Sequence, residues 1–121
     1  SGLKTAVVRA TEKRPDLPME SVAASFQAAV CEQLLRKLRR AVEEHSPRGV
    51  ALAGGVAANS ALRAGVTALA QEFGVEAHLP SMAMCTDNAA MIAAAGHYRL
   101  SHAGPSGLAF SATPNWQLRD V

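Results

Sequence analysis

Aromatic residues are scarce in this sequence: three Phe, one Tyr and one Trp make up 4% of its 121 residues. Hydrophobic residues still account for 49% of the chain. A core must therefore be packed from Ala, Val and Leu, with small side chains that allow close contacts. The length predicts one domain, and a mean hydropathy of +0.06 is ordinary for a globular protein.

The sequence also has few cysteines, little net charge and no long apolar run. The two cysteines, Cys31 and Cys85, are far apart in the sequence, and free thiols are expected rather than a disulfide. A net charge of +2 is too small to indicate nucleic-acid binding by itself. With no apolar run of spanning length and no signal peptide, we expect a cytoplasmic protein that has no membrane partner.

Two short apolar segments, 48–53 and 75–79, predict β-strands, the first buried on both faces because its apolar residues do not alternate. A helix over about 57–73, ended by Gly74, lies between them. Strand, helix and strand form a right-handed crossover unit with parallel strands, so the fold class is α/β. Two strands make a poor sheet, and the chain starts at Ser1 without Met. Both features predict a fragment of a longer protein, or tight association with another copy.

Two further helices are predicted on either side of this unit. A long amphipathic helix begins near Ser21 and stops before Pro47, with an apolar residue at every fourth position and Phe26 in the core. The last helix begins at Thr86 or Asp87, which supply its cap, and runs to about residue 101. Its many alanines predict very close packing, with Met91 in the core.

The stretch 54–59, Gly-Gly-Val-Ala-Ala-Asn, is the strongest local signal for a ligand. It follows the first predicted strand and leads into a helix. Glycines let a backbone approach an anion closely, and a helix N-terminus favours negative charge. The stretch has neither the Lys of a P-loop nor the third Gly of a dinucleotide motif. It therefore predicts a phosphate-bearing ligand without naming one.

Asp87 is the second candidate. Its simplest role is to cap the last helix. However, its loop follows the second strand, so it leaves the sheet at the same carboxyl edge as the 54–59 loop, where ligands of open α/β sheets bind. Asp87 is therefore either a cap or a group that faces the same pocket as Asn59.

Four segments occur in a recognisable order: SGLKT at 1–5, ASFQ at 24–27, GGVAANSALR at 54–63 and CTDNAAMIA at 85–93. Together they resemble the C-terminal part of the TsaD family, the tRNA threonylcarbamoyladenosine synthesis proteins once described as O-sialoglycoprotein endopeptidases. The resemblance reaches about residue 103. It divides the chain into residues 1–103, part of the C-terminal lobe of an actin-like ATPase fold, and residues 104–121, an irregular tail.

The resemblance implies an activity and a site. Members transfer threonylcarbamoyl from threonylcarbamoyl-adenylate to N6 of adenosine 37 in tRNAs that read ANN codons, so tRNA and other proteins of this synthesis are the implied partners. Gly54 and Gly55 would line the adenylate site and Asn59 would contact the adenylate or ATP ligand. Asp87 would be a carboxylate ligand of a divalent metal, iron or zinc, that polarises the carbamoyl carbonyl.

The sequence departs from the family at the other metal ligands, which are two His in an HxxxH arrangement. The four histidines here have no such spacing; they are His45, His78, His97 and His102. One carboxylate does not hold a catalytic metal, so we expect this chain to be inactive without the missing N-terminal lobe.

Several alternatives stay open from the residues alone. The chain is either part of this transferase or part of another actin-like protein, such as a sugar or acetate kinase or a non-catalytic nucleotide-binding partner; a metalloendopeptidase ranks last. The basic cluster at 36–40 is either a solvated helix face or a contact to tRNA phosphates, to be tested with Arg39→Ala. Cys85 is either a small buried side chain or a metal ligand or reactive thiol.

Overall fold

The computed structural model describes residues 2–109 and 111. These residues form four α-helices and two short β-strands, together with 3₁₀ turns at Gly55–Ala58 and Met82–Met84. In chain order the helices and strands are α1 (Leu3–Lys13), α2 (Met19–His45), β1 (Gly49–Ala51), α3 (Ser60–Phe73), β2 (Glu76–His78) and α4 (Ala89–Ala103). The chain divides into two compact units, Ser1–Thr86 and Asp87–Val121.

The two strands pair in parallel, with Val50 opposite Ala77. This confirms the predicted parallel pair and the α/β class, although each strand is shorter than predicted. The expectation that the first strand is buried on both faces is wrong: Val50 is buried, while Ala51 and all of β2 are exposed. Val50 packs against α2 and α3, and within the described part of the first unit no further layer covers the opposite face, as parallel sheets normally require.

The core of the first unit lies between α2, α3 and β1. Its buried members are Cys31, Val42, Val50, Leu62, Val66, Leu69 and Ala70. The predicted apolar face of α3 is thereby confirmed.

On α2 the buried face differs from the predicted one. Leu35 and Leu38 pack on the core, whereas Phe26, expected in the core, is 40% exposed and lines a groove between α1 and α2. The reason is geometric: apolar residues at every fourth position drift about 40° per step around a helix with 3.6 residues per turn. The apolar residues in the first turns of α2 therefore face α1, whereas the core contacts of α2 with α3 begin at Cys31.

Helices α2 and α3 end where local signals predict. α2 stops at His45, before Pro47, and Ser46 adopts a left-handed conformation with φ 44°. α3 stops at Gly74, with φ 65°, whose N–H donates to Gln71 O at 3.2 Å. The next amide, of Val75, donates to Ala70 O at 2.9 Å. This hydrogen-bond pattern is the Schellman motif that a C-terminal glycine favours.

Two contacts tie α2 closely to α3. The first is at Gly65, where an added Cβ would collide with the Cδ1 methyl of Leu35. The second is an ion pair in which both terminal nitrogens of Arg39 bind the carboxylate of Glu72, at 2.5 and 2.6 Å. Glycine at position 65 thus allows the two helices to approach.

The second unit contains α4, which begins differently from the prediction. Its cap is Asn88, whose Oδ1 accepts from Met91 N–H at 3.1 Å, and not Thr86 or Asp87. No residue of α4 is buried, and Met91, expected in the core, is 48% exposed. Small side chains bury surface only where another helix comes close, and the described part of this unit contains one helix. The close packing predicted for α4 is therefore not found there.

Residues 104–109 and 111 form neither helix nor strand, and the remainder of the predicted tail lies outside the described residues. The assignment of residues 1–103 to part of one lobe stays a prediction. Across the described ranges, 2–109 and 111, no helix combines the length and apolar character needed to cross a membrane.

Candidate functional site

Gly54 and Gly55 lead the chain from β1 into a 3₁₀ turn. Gly54 has φ 76° and ψ 179°, a conformation that is essentially restricted to glycine. Its carbonyl accepts from Ala57 N–H at 2.9 Å, and Ala57 is fully buried. Gly55 lies outside the left-handed region, and nothing is within 4 Å of a Cβ added to it. The backbone conformation therefore requires glycine at position 54 but not at position 55.

Asn59 is the N-cap of α3. Its Oδ1 accepts from Leu62 N–H at 2.9 Å, which is the usual interaction between a cap and the third residue of a helix. The helix therefore starts at Ser60, after the separate 3₁₀ turn, and not at about residue 57 as predicted.

The Asn59 amide also contacts α2 at two points. Its Nδ2 donates to Oε1 of Gln27 at 3.1 Å, and the Cys31 thiol donates to its Oδ1 at 3.8 Å. A third side chain, Arg63, supports the loop by donating from Nη1 to Ala57 O at 2.9 Å. The sequence motifs contain Gln27 and Arg63, but residue patterns alone gave neither of them a role. The available signal was that Gln27 and Cys31 are four residues apart, on one face of α2.

Asp87 lies at the start of the second unit, on the exposed segment before α4. It does not cap the helix, because Asn88 does. Within residues 2–109 and 111 there is no group of three or more His, Cys, Asp or Glu side chains that could hold a metal ion. Asp87 would therefore be a single metal donor within the described residues, and one donor is too few to hold a metal ion. That Asp87 faces the same pocket as Asn59 stays a prediction.

Both cysteines are free, as expected, and both are buried. Cys85 is 1% exposed and its Sγ lies 3.4 Å from Ser81 O. This position agrees with a small buried side chain rather than with a reactive thiol or a metal ligand.

Most cations of the basic cluster on α2 bind other side chains of the same chain. Besides its ion pair with Glu72, Arg39 lies over the ring of Phe73, with 5.2 Å between Cζ and the ring centroid. Arg40 binds Glu44 at 2.6 Å. The Arg39 guanidinium lowers the pKa of the Glu72 carboxyl, and that carboxylate raises the pKa of Arg39. Arg39→Ala would therefore break a contact between helices, so it is a poor test of tRNA binding.

Comparison with known proteins identifies relatives over nearly the whole chain. A protein from Carboxydothermus hydrogenoformans, named tRNA N6-adenosine threonylcarbamoyltransferase, is 46% identical over 118 residues, covering 98% of this chain and 35% of the relative. Proteins with the same name from Geobacter sp. strain M21 and Geobacter sulfurreducens are 47% and 48% identical, again over 98% of the chain and about a third of the relative. This chain spans about a third of the length of the relatives that it matches.

The family model for TsaD, tRNA N6-adenosine threonylcarbamoyltransferase, matches residues 1–94. That range contains all four segments on which the resemblance was based, including the 54–59 loop and Asp87. The chain therefore belongs to the TsaD family.

Proposed function

We propose that this chain provides the adenylate-binding loop of a tRNA N6-adenosine threonylcarbamoyltransferase. The whole protein would transfer threonylcarbamoyl from threonylcarbamoyl-adenylate to N6 of adenosine 37 in ANN-decoding tRNAs, within an actin-like fold and in the cytoplasm. Its partners would be tRNA, the other proteins of this synthesis and the missing lobe. Family membership favours this function over the kinase and peptidase alternatives. The observation that carries the assignment of the loop is the geometry of Gly54, Gly55 and Asn59.

Gly55 supports close approach of a ligand. It has neither a positive φ nor a neighbour that a Cβ would touch, so the fold of the described residues supplies no reason for glycine there. A ligand that lies against the backbone is a sufficient reason, because any side chain would occupy the space the ligand needs. Gly54, by contrast, is explained by its backbone conformation.

Asn59 presents a hydrogen-bond donor to this ligand. Among the described residues, its Oδ1 already accepts from Leu62 N–H and from the Cys31 thiol, whereas its Nδ2 donates only to Gln27. An amide nitrogen carries two hydrogens, so one of them remains to be donated. Asn59 would therefore bind an acceptor oxygen of the adenylate, on the ribose or the phosphate.

Asp87 is proposed as one ligand of a divalent metal, iron or zinc, whose other ligands lie outside this chain. Bound metal of this kind supplies a Lewis acid that polarises a carbonyl. One carboxylate does not hold such an ion, so the isolated chain is proposed to be inactive.

The decisive experiment replaces Asn59 by Asp in a protein that contains this chain and has the length of its TsaD-family relatives, called here the family-length protein. Aspartate is as good an N-cap as asparagine, so α3 should remain folded. The donor is lost and a negative charge faces the anion, so we expect AMP to bind at least about 10-fold more weakly, the loss of one charged hydrogen bond. Calorimetric titration with AMP measures the binding, and mass analysis of the tRNA measures transfer.

Gln71→Glu is the matched control, since it adds the same charge at the exposed, opposite end of α3. Circular dichroism should show both variants folded. Unchanged AMP affinity in Asn59→Asp, with the fold intact, would remove Asn59 from the adenylate site.

A further inference from the structure

Gln27 has no role in the proposed function, yet it contacts the residue on which that function depends. It lies on α2 and its Oε1 accepts a hydrogen bond from Asn59 Nδ2 at 3.1 Å. Cys31, one turn later on the same helix, is 8% exposed, and its thiol donates to Asn59 Oδ1 at 3.8 Å. One face of α2 thus offers an acceptor to the nitrogen and a donor to the oxygen of the same amide.

These partners allow the Asn59 amide only one orientation. The N–H of Leu62 requires an oxygen at 2.9 Å. A flipped amide would turn its NH₂ group towards that N–H and leave the backbone donor without an acceptor, and the Cys31 thiol would lose the oxygen to which it donates. Gln27 then holds the nitrogen on the side opposite the cap. Because the amide is planar, fixing one Nδ2 hydrogen on Gln27 also fixes the direction of the second.

We propose that Gln27 is a positioning residue for the adenylate site: it orients Asn59 so that the second Nδ2 hydrogen is ready to be donated to an acceptor oxygen of the ligand. This inference rests on the proposed function of Asn59. Gln27 acts through Asn59 and makes no ligand contact of its own. Preorganisation of this kind lowers the ordering cost of binding.

Gln27→Met in the family-length protein tests the proposal, with AMP as the probe. Methionine keeps the length of the side chain and removes the acceptor. Gln27 is exposed, so folding should be unaffected. We expect AMP affinity to fall about 2- to 10-fold, the range for one neutral hydrogen bond. The matched control is Gln33→Met, because Gln33 is also on α2 but its Oε1 accepts from Arg36 Nη2, at 2.6 Å.

A double-mutant cycle separates positioning from direct contact. Serine at position 59 keeps the cap and removes Nδ2. If Gln27 acts through Asn59, Gln27→Met will have no further effect on AMP affinity in the Asn59→Ser background. Additive losses would overturn the proposal, since they would mean that Gln27 contacts the ligand independently.

A ligand-free measurement distinguishes failure of this inference from failure of the proposed function. In ¹⁵N NMR spectra, Gln27→Met should shift the side-chain NH₂ signals of Asn59, and Gln33→Met should not. Unchanged signals would overturn the positioning role even where Asn59 matters for binding. If instead AMP affinity is indifferent to Asn59→Asp and Asn59→Ser, the proposed function fails and this inference fails with it.

Discussion

Helices α3 and α4 begin in the same way but differ in what surrounds them. Each starts after an asparagine whose Oδ1 accepts from the third helical amide, at 2.9 Å for Asn59 and 3.1 Å for Asn88. Four residues of α3 are buried, and none of α4. The cap decides where a helix starts, whereas burial against a second helix decides how firmly the preceding loop is held. We therefore expect matched substitutions in the two helices to change the free energy of unfolding by unequal amounts.

The largest difference in folding stability is expected between two leucine substitutions, one in each helix. Leu62 on α3 is 1% exposed and Leu100 on α4 is 57% exposed. Leu62→Ala should lower the free energy of unfolding by about 2–5 kcal/mol, because it leaves a cavity in the core. Leu100→Ala should change it by less than about 0.5 kcal/mol. Urea denaturation of the two variants measures both values, and a comparable loss in the two would mean that α4 is packed.

The glycine pair before α3 gives the next largest difference. Gly54→Ala places a side chain at φ 76° and should cost about 1–3 kcal/mol of stability. Gly55→Ala should leave stability nearly unchanged while weakening AMP binding in the family-length protein, because its methyl group enters open space. Thermal unfolding and AMP titration of both variants test this. Equal AMP affinity in Gly55→Ala and the unmodified protein would contradict close approach of the ligand.

Replacing the two helix caps should give a smaller difference in the free energy of unfolding. Alanine at either position removes a cap, with a loss of about 0.5–2 kcal/mol. Asn59→Ala should cost about 1 kcal/mol more than Asn88→Ala, because the amide left uncapped belongs to Leu62, which is 1% exposed, whereas the other belongs to Met91, which is 48% exposed. Guanidinium denaturation measures the difference. A larger loss for Asn88→Ala would reverse the comparison.

The smallest effect concerns the ion pair that ties α3 to α2. The pKa of Glu72 is lowered from its ordinary value of 4.5 by Arg39, so the pair stabilises the fold above the unfolded-state pKa and is lost as the pH falls through the lowered value. The melting temperature of Glu72→Gln should therefore be slightly below that of the unmodified chain at pH 7, and the gap should close in acid. Arg39→Gln should abolish the same pH dependence. Side-chain exposures of 42% and 53% keep the effect small.

Local patterns in the sequence were enough to predict the parallel strand pair, the apolar face of α3 and the stop at Gly74. They were not enough where burial depends on distant segments, as for Phe26 on α2 and for the whole of α4. The same limit applies to the site. Gly54 and Asn59 could be proposed as site residues from their motif. The partner of the Asn59 amide, however, is 32 residues away in the sequence, and only the packing of two helices brings it near.

The contacts between α2 and α3 follow the same order along both helices. Gln27 meets Asn59, Leu35 meets Gly65 and Arg39 meets Glu72, so the helices run parallel over about 18–20 Å at 1.5 Å per residue. These three contacts, together with the buried core between the helices, favour this one register of α2 against α3. A shift of α2 by a single residue along its axis would break the contact between Gln27 and Asn59 together with the ion pair between Arg39 and Glu72, more than three turns away. The direction of one Nδ2 hydrogen of Asn59 therefore depends on the position of α2 along its axis.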